Sequence, residues 1–210
     1  MISIKAVAVV LVLGVLCAAC SRTPAEPKDP PVTGAAPDVA FSATVTPHDG
    51  SIAISYRLTN RSSGELIVPN RVPAYGAAGT LTPDPNAVYV TGGDDGEAVI
   101  SKRVFPRPDT DKVNWTTTPL TYGVIVAPGA SVAEDITVPL PLTRRHPYGD
   151  DFGDGAIKLP DPVKAVRFCL GVINRADLPK APVKDGVVTL GNSKAAAGVQ
   201  HLSCSGSVKL

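Results

Sequence analysis

Two cysteines near the start of the chain, Cys17 and Cys20, have the spacing of a thiol redox pair or of half a zinc site. A redox C-x-x-C motif is expected beside the βαβ pattern of a folded domain. Here the motif instead ends an unbroken apolar run, residues 6–16, which follows Lys5, the only charge before Arg22. The motif therefore predicts a targeting signal rather than thiol chemistry.

The apolar run is too short to span a bilayer, which needs about 20 apolar residues. A basic start, a short apolar core and small residues before a cleavage point are typical of a secretory signal peptide. Ala18, Ala19 and Cys20 resemble the lipobox of bacterial lipoproteins, with Cys17 where that family usually carries Leu. The resemblance implies cleavage after Ala19 and lipidation of Cys20. Cleavage after Ala19 without a lipid, or an uncleaved anchor, remain the alternatives.

The resemblance also implies where the protein resides. Several acyl chains, each contributing about 0.8 kcal/mol per buried CH₂, would make the membrane a stable partner of the chain. Ser21 follows the cysteine, in a position where an Asp would be expected to retain a lipoprotein at the inner membrane. In a Gram-negative host, the resemblance therefore implies an outer-membrane lipoprotein that faces the periplasm.

Cys169 and Cys204 are the two cysteines that remain after lipidation and signal cleavage. Exported proteins fold in an oxidising compartment, so this pair predicts one disulfide. The bond would close a loop of roughly 35 residues, which the chain-entropy model values at about 3–4 kcal/mol. Two free buried thiols are the alternative.

The stretch from residue 21 to residue 37 contains five prolines and almost no large apolar residue. Such a segment cannot bury a core, and at ~3.1 Å per residue it would reach roughly 50 Å if extended. The sequence thus predicts a signal peptide (1–19), a lipidated N-terminus with a Pro-rich, disordered tether (20–37) and a folded domain (38–210).

The folded domain has the hydrophobic pattern of an all-β protein. Residues 51–59 place Ile52, Ile54, Tyr56 and Leu58 on one face, with the period of two that is typical of a half-buried strand. Further strands are predicted over residues 39–47, 66–70, 87–91, 97–104, 121–127, 131–140, 165–173, 186–191 and 201–208. Only residues 194–199 suggest a helix. Many short strands separated by Gly and Pro turns predict a β-sandwich.

Two stretches, residues 51–70 and 126–140, resemble immunoglobulin-like domains of bacterial envelope proteins. They share an alternating strand, an Asn-x-Ser turn, a short apolar strand, and a Pro-Gly turn before a strand. The resemblance implies an immunoglobulin-like β-sandwich, and the long middle region, residues 71–120, predicts elaborated loops. Two smaller domains divided near residue 115 are the alternative, but each would have a thin core.

Charge and histidine placement narrow the functional classes. The formal net charge is +1, and the basic clusters at residues 102–103 and 144–146 are not interleaved with aromatic residues, so nucleic acid is not expected as a partner. The serine-hydrolase G-x-S-x-G, H-E-x-x-H and P-loop motifs do not occur. His48, His146 and His201 are far apart in sequence and are interpreted as solvated histidines, with a three-histidine metal site as the alternative.

Acidic residues cluster at 94–97 and 150–154. Asp150, Asp154 and Asp161 fall at the first, fifth and twelfth positions of an EF-hand loop, which makes them calcium candidates. Phe152, however, occupies the third position, where an oxygen ligand is needed. The sequence therefore predicts solvated turns, with no metal and no cofactor.

The leading functional hypothesis is a lipid-anchored envelope lipoprotein whose β-sandwich is a binding or structural module rather than an enzyme. Its expected partners are the membrane, through Cys20, and another envelope protein. One alternative is an inhibitor or accessory subunit of an envelope protein such as a protease, by analogy with immunoglobulin-like bacterial inhibitors. The other is an enzyme with dispersed catalytic residues, of which Asp150 and Asp154 would be the first to test.

Overall fold

The computed structural model describes residues 24–75 and 80–210 of the chain. The predicted signal peptide and the predicted lipidation site Cys20 lie outside these residues. The strands of the described residues are β1 (Val39–His48), β2 (Ser51–Asn60), β3 (Leu66–Tyr75), β4 (Leu81–Asp84), β5 (Tyr89–Gly92), β6 (Glu97–Lys102), β7 (Leu120–Val126), β8 (Ser131–Pro139), β9 (Ala165–Asn174), β10 (Val183–Lys184), β11 (Val187–Gly191), β12 (Gln200–Cys204) and β13 (Val208–Lys209). The one α-helix among them is α1 (Lys194–Gly198), and none of these residues form a helix of the length and hydrophobicity that a membrane span requires.

The smaller of the two sheets contains three antiparallel strands in the order β1-β2-β8. β1 and β2 are joined by a tight turn at Asp49-Gly50, where Gly50 has a φ of 77°. Gly suits this position of a two-residue hairpin because it adopts a positive φ without steric cost. The predicted alternation is confirmed, since Ile52, Ile54, Tyr56 and Leu58 of β2 are all buried.

The larger sheet has the order β10-β11-β7-β3-β9-β6-β5, with β12 and β13 also paired to β9, and β4 paired to β3. β6 and β9 run parallel, while the other strand pairs of the described chain are antiparallel. Strands from both sides of residue 115 alternate in this sheet. The two halves of the folded domain therefore share one sheet.

The main core lies between the two sheets. Ile54 and Ile136 of the smaller sheet belong to the same buried cluster as Ile100 and Leu170 of the larger one, and Tyr56 stacks on Phe168 with ring centroids 5.2 Å apart. A second buried cluster, which includes Ile173 and part of α1, covers the opposite face of the larger sheet at one end. The predicted all-β sandwich is therefore confirmed.

The predicted strands match the observed ones in order and position, but several bounds differ: β3 extends five residues beyond the predicted 66–70, and β6 ends two residues before the predicted 104. β4 and β10 were not predicted, because four and two residues are too short to show a period. The predicted strand at 201–208 is interrupted at residues 205–207 and becomes β12 and β13. The predicted helix is confirmed as α1, where the Ser193 side chain caps the N-terminus by accepting the Ala196 N–H at 3.2 Å.

The predicted disulfide between Cys169 and Cys204 is confirmed. Cys169 of β9 and Cys204 of β12 are direct partners in the strand register, with Cα atoms 4.1 Å apart. The bond therefore joins neighbouring strands of the larger sheet rather than the two sheets of the sandwich.

Candidate functional site

A cleft of about 900 Å³ lies on the outer face of the larger sheet, the face that points away from the smaller sheet. Val166 and Phe168 of β9 point into the sandwich core, so the alternating residues Arg167 and Cys169 point outward and line the cleft. Cys204 lines it as well, so the disulfide is part of the cleft wall. The rest of the wall includes residues 91–94, Arg103 and Phe105 beyond β6, His146, residues 156–160 and residues 24–29.

The segment from residue 24 to residue 37, called here the N-terminal segment, contains no helix or strand, in agreement with the predicted tether. It does not stand free of the domain, however. Its first six residues line the cleft, and further along the Thr33 N–H donates to the Gly198 carbonyl at 2.7 Å. The Asn174 side-chain amide donates to the Ala35 carbonyl at 3.1 Å. Any free tether to Cys20 is therefore shorter than the sequence predicted.

Glu26 anchors the N-terminal segment in the cleft. The Arg144 guanidinium donates two nearly parallel hydrogen bonds to the Glu26 carboxylate, from Nε to Oε1 at 2.8 Å and from NH2 to Oε2 at 2.7 Å. The Gly92 backbone N–H donates to the same Oε1 at 3.0 Å. Bidentate Arg–carboxylate pairs are among the strongest charge-assisted hydrogen bonds in proteins.

Asp29 makes the second ionic contact of the segment. Its carboxylate accepts a hydrogen bond from the Arg103 guanidinium. The Arg103 Cζ lies 4.6 Å from the centroid of the Phe105 ring, so the cation also rests on an aromatic face. The Arg103 side chain is only 10% exposed, whereas the Asp29 side chain is 41% exposed.

Arg144 is held from two directions. Its side chain is 5% exposed, and its NH1 donates to the Gly149 carbonyl at 2.9 Å and to the Asp150 carboxylate at 2.6 Å. Burial disfavours the guanidinium charge, but Glu26 and Asp150 outweigh this effect and raise the pKa of Arg144. Without Glu26, the Nε and Nη2 atoms of the nearly buried Arg144 would lose their carboxylate partner.

His146 lies between these two arginines and is 6% exposed, so its interpretation as a solvated histidine was wrong. The ring packs edge-to-face on Phe105 and Phe152, with centroids 4.6 Å and 5.2 Å away, and these contacts exclude water. Burial, together with the charges of Arg144 and Arg103, lowers the pKa of His146 to about 3. The imidazole is therefore neutral near pH 7.

The tautomer of His146 follows from its neighbour. The Tyr148 backbone N–H donates to Nδ1 at 3.2 Å, so Nδ1 carries the lone pair and Nε2 carries the proton. Within the described chain, this buried Nε2–H has no hydrogen-bond acceptor. Because His146 lines the cleft, the site contains a hydrogen-bond donor that the N-terminal segment does not use.

A second set of buried charges, called here the interior network, lies between the two sheets. The fully buried Lys102 side chain donates to Glu134 Oε2 at 2.6 Å and to the Asn70 carbonyl at 3.2 Å. Glu134 also accepts from the Tyr56 hydroxyl at 2.6 Å, from the Asn70 amide at 2.8 Å and from Arg71. Burial lowers the pKa of Lys102 and raises the pKa of Tyr56. The network joins β2 and β8 to β3 and β6.

The structure does not bring the three calcium candidates together. Asp150 pairs with Arg144 at 2.6 Å, Asp154 pairs with Lys112, and Asp161 is exposed in a separate bend. Between them, Asp151 accepts the backbone N–H groups of Gly153 and Gly155, as in an Asx turn. Across the described ranges, no three His, Cys, Asp or Glu side chains are grouped so that they could hold a metal ion.

The sequence interpretation missed the residues that build the cleft: Glu26, Asp29, Arg103, Arg144 and His146. One signal was visible, because two acidic side chains in the Pro-rich segment have the opposite sign to the basic clusters. The contacts themselves join positions as far apart as 118 residues. Local patterns carry no information about such pairings.

Comparison of the chain with protein-family models, with curated proteins and with solved structures found no match. The geometry of the cleft and the features of the sequence therefore carry the functional argument.

Proposed function

We propose that the protein is a lipid-anchored lipoprotein of the bacterial envelope whose β-sandwich is a binding module, and that the cleft is its binding site. The observation that carries the proposal is the pairing of two cleft-lining carboxylates with nearly buried guanidinium groups: Asp29 with Arg103 in the cleft wall, and Glu26 with Arg144, which lies behind Glu26. Buried cations require an anionic partner, so a cleft of this kind favours recognition of carboxylates.

The chemistry of the cleft favours binding over catalysis. The groups that contact Glu26 and Asp29 are two guanidinium ions and a backbone N–H, all of which are donors, and the neutral imidazole of His146 beside them adds an Nε2–H donor. A general base needs a pKa near the working pH, and His146, with a pKa of about 3, lies far below it. The arrangement can orient an acidic ligand, but its histidine is poorly suited to accepting a proton.

The site lies close to the proposed anchor in the chain. Glu26 follows Cys20 by six positions, so the lipid would hold the cleft near the membrane surface. Lipidation of Cys20 is supported by the lipobox resemblance, and Ser21 after it favours the outer membrane of a Gram-negative host. An envelope protein is the partner that such a placement favours, and an inhibitor or accessory subunit of an envelope protease is one form of this function.

The anchor is tested by membrane fractionation and metabolic palmitate labelling in the native host. We expect Cys20→Ala to abolish labelling and to release the protein from the membrane fraction, while the matched variant Cys17→Ala keeps both. Labelled, membrane-bound Cys20→Ala protein would contradict the anchor.

The binding role is tested by cross-linking in the native host, followed by mass spectrometry of the co-purifying proteins. A reproducible envelope partner that is lost in Arg144→Gln, but retained in the exposed variant Lys112→Gln, would support the cleft as the binding site. A partner that is retained in Arg144→Gln would contradict it.

A further inference from the structure

We propose that the cleft binds an extended acidic segment of another protein, with two carboxylates three positions apart, and that the N-terminal segment occupies this site in cis. The inference rests on the function proposed above, because it names the chemistry of the partner that the binding module would take. Glu26 and Asp29 supply the spacing, since Asp29 pairs with Arg103 in the cleft wall and Glu26 pairs with Arg144, which Glu26 covers.

The arginines are positioned without help from the segment. Arg144 is held by the Gly149 carbonyl and by Asp150, and Arg103 donates from Nε to the Val104 carbonyl at 3.2 Å while resting on Phe105. Both cations therefore keep their place when the segment leaves. A preorganised donor set that carries buried charge favours the binding of a new carboxylate over an empty state.

Another peptide could reproduce the contacts that hold the N-terminal segment in the cleft. Within residues 24–32 of the described chain, the hydrogen bonds to the domain all run through the side chains of Glu26 and Asp29. Pro24, Pro27 and Pro30 have no backbone N–H to donate to a strand ladder. Recognition therefore depends on two carboxylates on an extended backbone, which many acidic segments can present.

The cleft also contains a hydrogen-bond donor that is unpaired in the described chain, and open volume that the segment does not fill. His146 is nearly buried and lines the cleft, and its Nε2–H has no acceptor among the described residues. About 900 Å³ of cleft remains open beside the segment. This nitrogen is shielded from solvent while the segment is docked. A partner segment that replaces the N-terminal segment and places an acceptor against it would form a contact that the cis occupant does not.

Replacement of the N-terminal segment by a partner would also change the distance that the chain can span between Cys20 and the folded domain. With Glu26 docked, only the six positions from Cys20 span the gap, or roughly 20 Å at ~3.1 Å per residue. With the segment displaced up to residue 32, just before the contact of Thr33 with Gly198, the reach rises to roughly 37 Å. Binding of a partner would thus be coupled to movement of the domain away from the membrane.

The experiment uses the mature chain made soluble by Cys20→Ser, and fluorescence anisotropy of a labelled peptide that copies residues 24–33. A cis occupant on a short tether has an effective concentration in the millimolar range, so it competes with the peptide. We expect the double variant Glu26→Gln, Asp29→Asn to bind the peptide about tenfold or more tightly than the unsubstituted chain, because the competing carboxylates are gone.

Three controls make the result specific. A peptide with Gln and Asn in place of the two acidic residues should show at least tenfold weaker binding. Adding Arg144→Gln to the double variant should abolish the gain, whereas adding Lys112→Gln, which removes an exposed ion pair with Asp154, should leave it intact. Inorganic phosphate at the peptide concentration should not displace the peptide.

Each contrary outcome overturns the inference. Equal binding of the acidic and neutral peptides, equal binding to the double variant and the unsubstituted chain, or displacement by phosphate would each exclude a specific acidic-peptide site. If thermal unfolding shows that the double variant is not folded, Asp29→Asn alone gives the same test, because that carboxylate is 41% exposed. The peptide assay requires no membrane, so its failure is distinct from failure of the lipid anchor.

Discussion

The interior network and the cleft contain the same chemistry in different settings. Each places a buried cation against a carboxylate, Lys102 against Glu134 in one case and Arg144 against Glu26 in the other. In the interior network the carboxylate belongs to β8 and its partners to β2, β3 and β6. In the cleft the carboxylates belong to a segment without secondary structure.

The difference indicates what each set of charges can do. A carboxylate on a strand is held by the sheet as well as by its ion pairs, so the interior network locks the two sheets in one alignment. A carboxylate on an irregular segment is held almost entirely by the ion pair itself, and another carboxylate can replace it. Buried charge therefore specifies the fold in one region and supports exchangeable binding in the other.

The largest expected effect is in the interior network. Glu134→Gln leaves the fully buried Lys102 without its counter-ion, and we expect the free energy of unfolding to fall by about 3–5 kcal/mol. Urea unfolding at pH 7 measures the change, with Asp135→Asn on the exposed side of the same strand as the control. A loss below about 1 kcal/mol would show that the network does not lock the sheets.

Removal of the disulfide tests whether the cleft needs this bond to keep its shape. Replacing Cys169 and Cys204 together by Ser should lower the free energy of unfolding by about 3–4 kcal/mol, because the unfolded chain loses a cross-link. It should also weaken binding of the acidic peptide to the double variant, since β9 and β12 are no longer bonded at the cleft. Unchanged peptide binding would show that the cleft is formed independently of this bond.

His146 gives the cleft a characteristic pH dependence. The unfolded chain takes up a proton on this imidazole near pH 6.5, whereas the folded chain does so only near pH 3, so its contribution to stability is lost as the pH falls. Between pH 7 and pH 5, the free energy of unfolding should fall by about 2 kcal/mol more in the unsubstituted chain than in His146→Gln. Parallel pH profiles of the unsubstituted chain and His146→Gln would contradict the neutral assignment.

The smallest expected effect on stability comes from weakening the contact between the N-terminal segment and the cleft. Glu26→Gln should lower the free energy of unfolding by only about 1–2 kcal/mol, because Arg144 keeps Asp150 as a partner. The main result should be faster proteolysis within the N-terminal segment, followed by mass spectrometry, with Lys28→Gln in the same segment as the control. A stability loss as large as that of Glu134→Gln would remove the distinction between the two regions.

Much of the fold could be predicted from the sequence. The alternation in β2 depends on residues within a few positions of each other, and the structure confirms it. The disulfide could be predicted because only Cys169 and Cys204 remained to form it. β4 was missed because its four residues are mostly exposed and show no apolar face.

The cleft could not be predicted because the residues that meet there are far apart in the sequence. The clusters at residues 102–103 and 144–146 were interpreted as short basic stretches, yet Lys102, Arg103 and Arg144 are all buried. A charged side chain is buried only when a partner meets it, and each of these three has a carboxylate partner more than 30 positions away, although Arg144 also pairs with the nearby Asp150. The free-energy cost of burying such a charge therefore depends on which partners the fold brings to it, and the residues next to it in the sequence do not reveal these partners.

The sequence by itself determined the strand periodicity, the β-sandwich class and the pairing of the two remaining cysteines, because these depend on local spacing and on composition. Only the tertiary structure decided that Glu26 and Asp29 meet Arg144 and Arg103, that His146 is buried and neutral between them, and that Lys102 lies in the core. Those contacts arise where distant strand ends and loops converge on one face of a sheet. Electrostatic pairing acts over a few ångströms of space, whatever the separation along the chain.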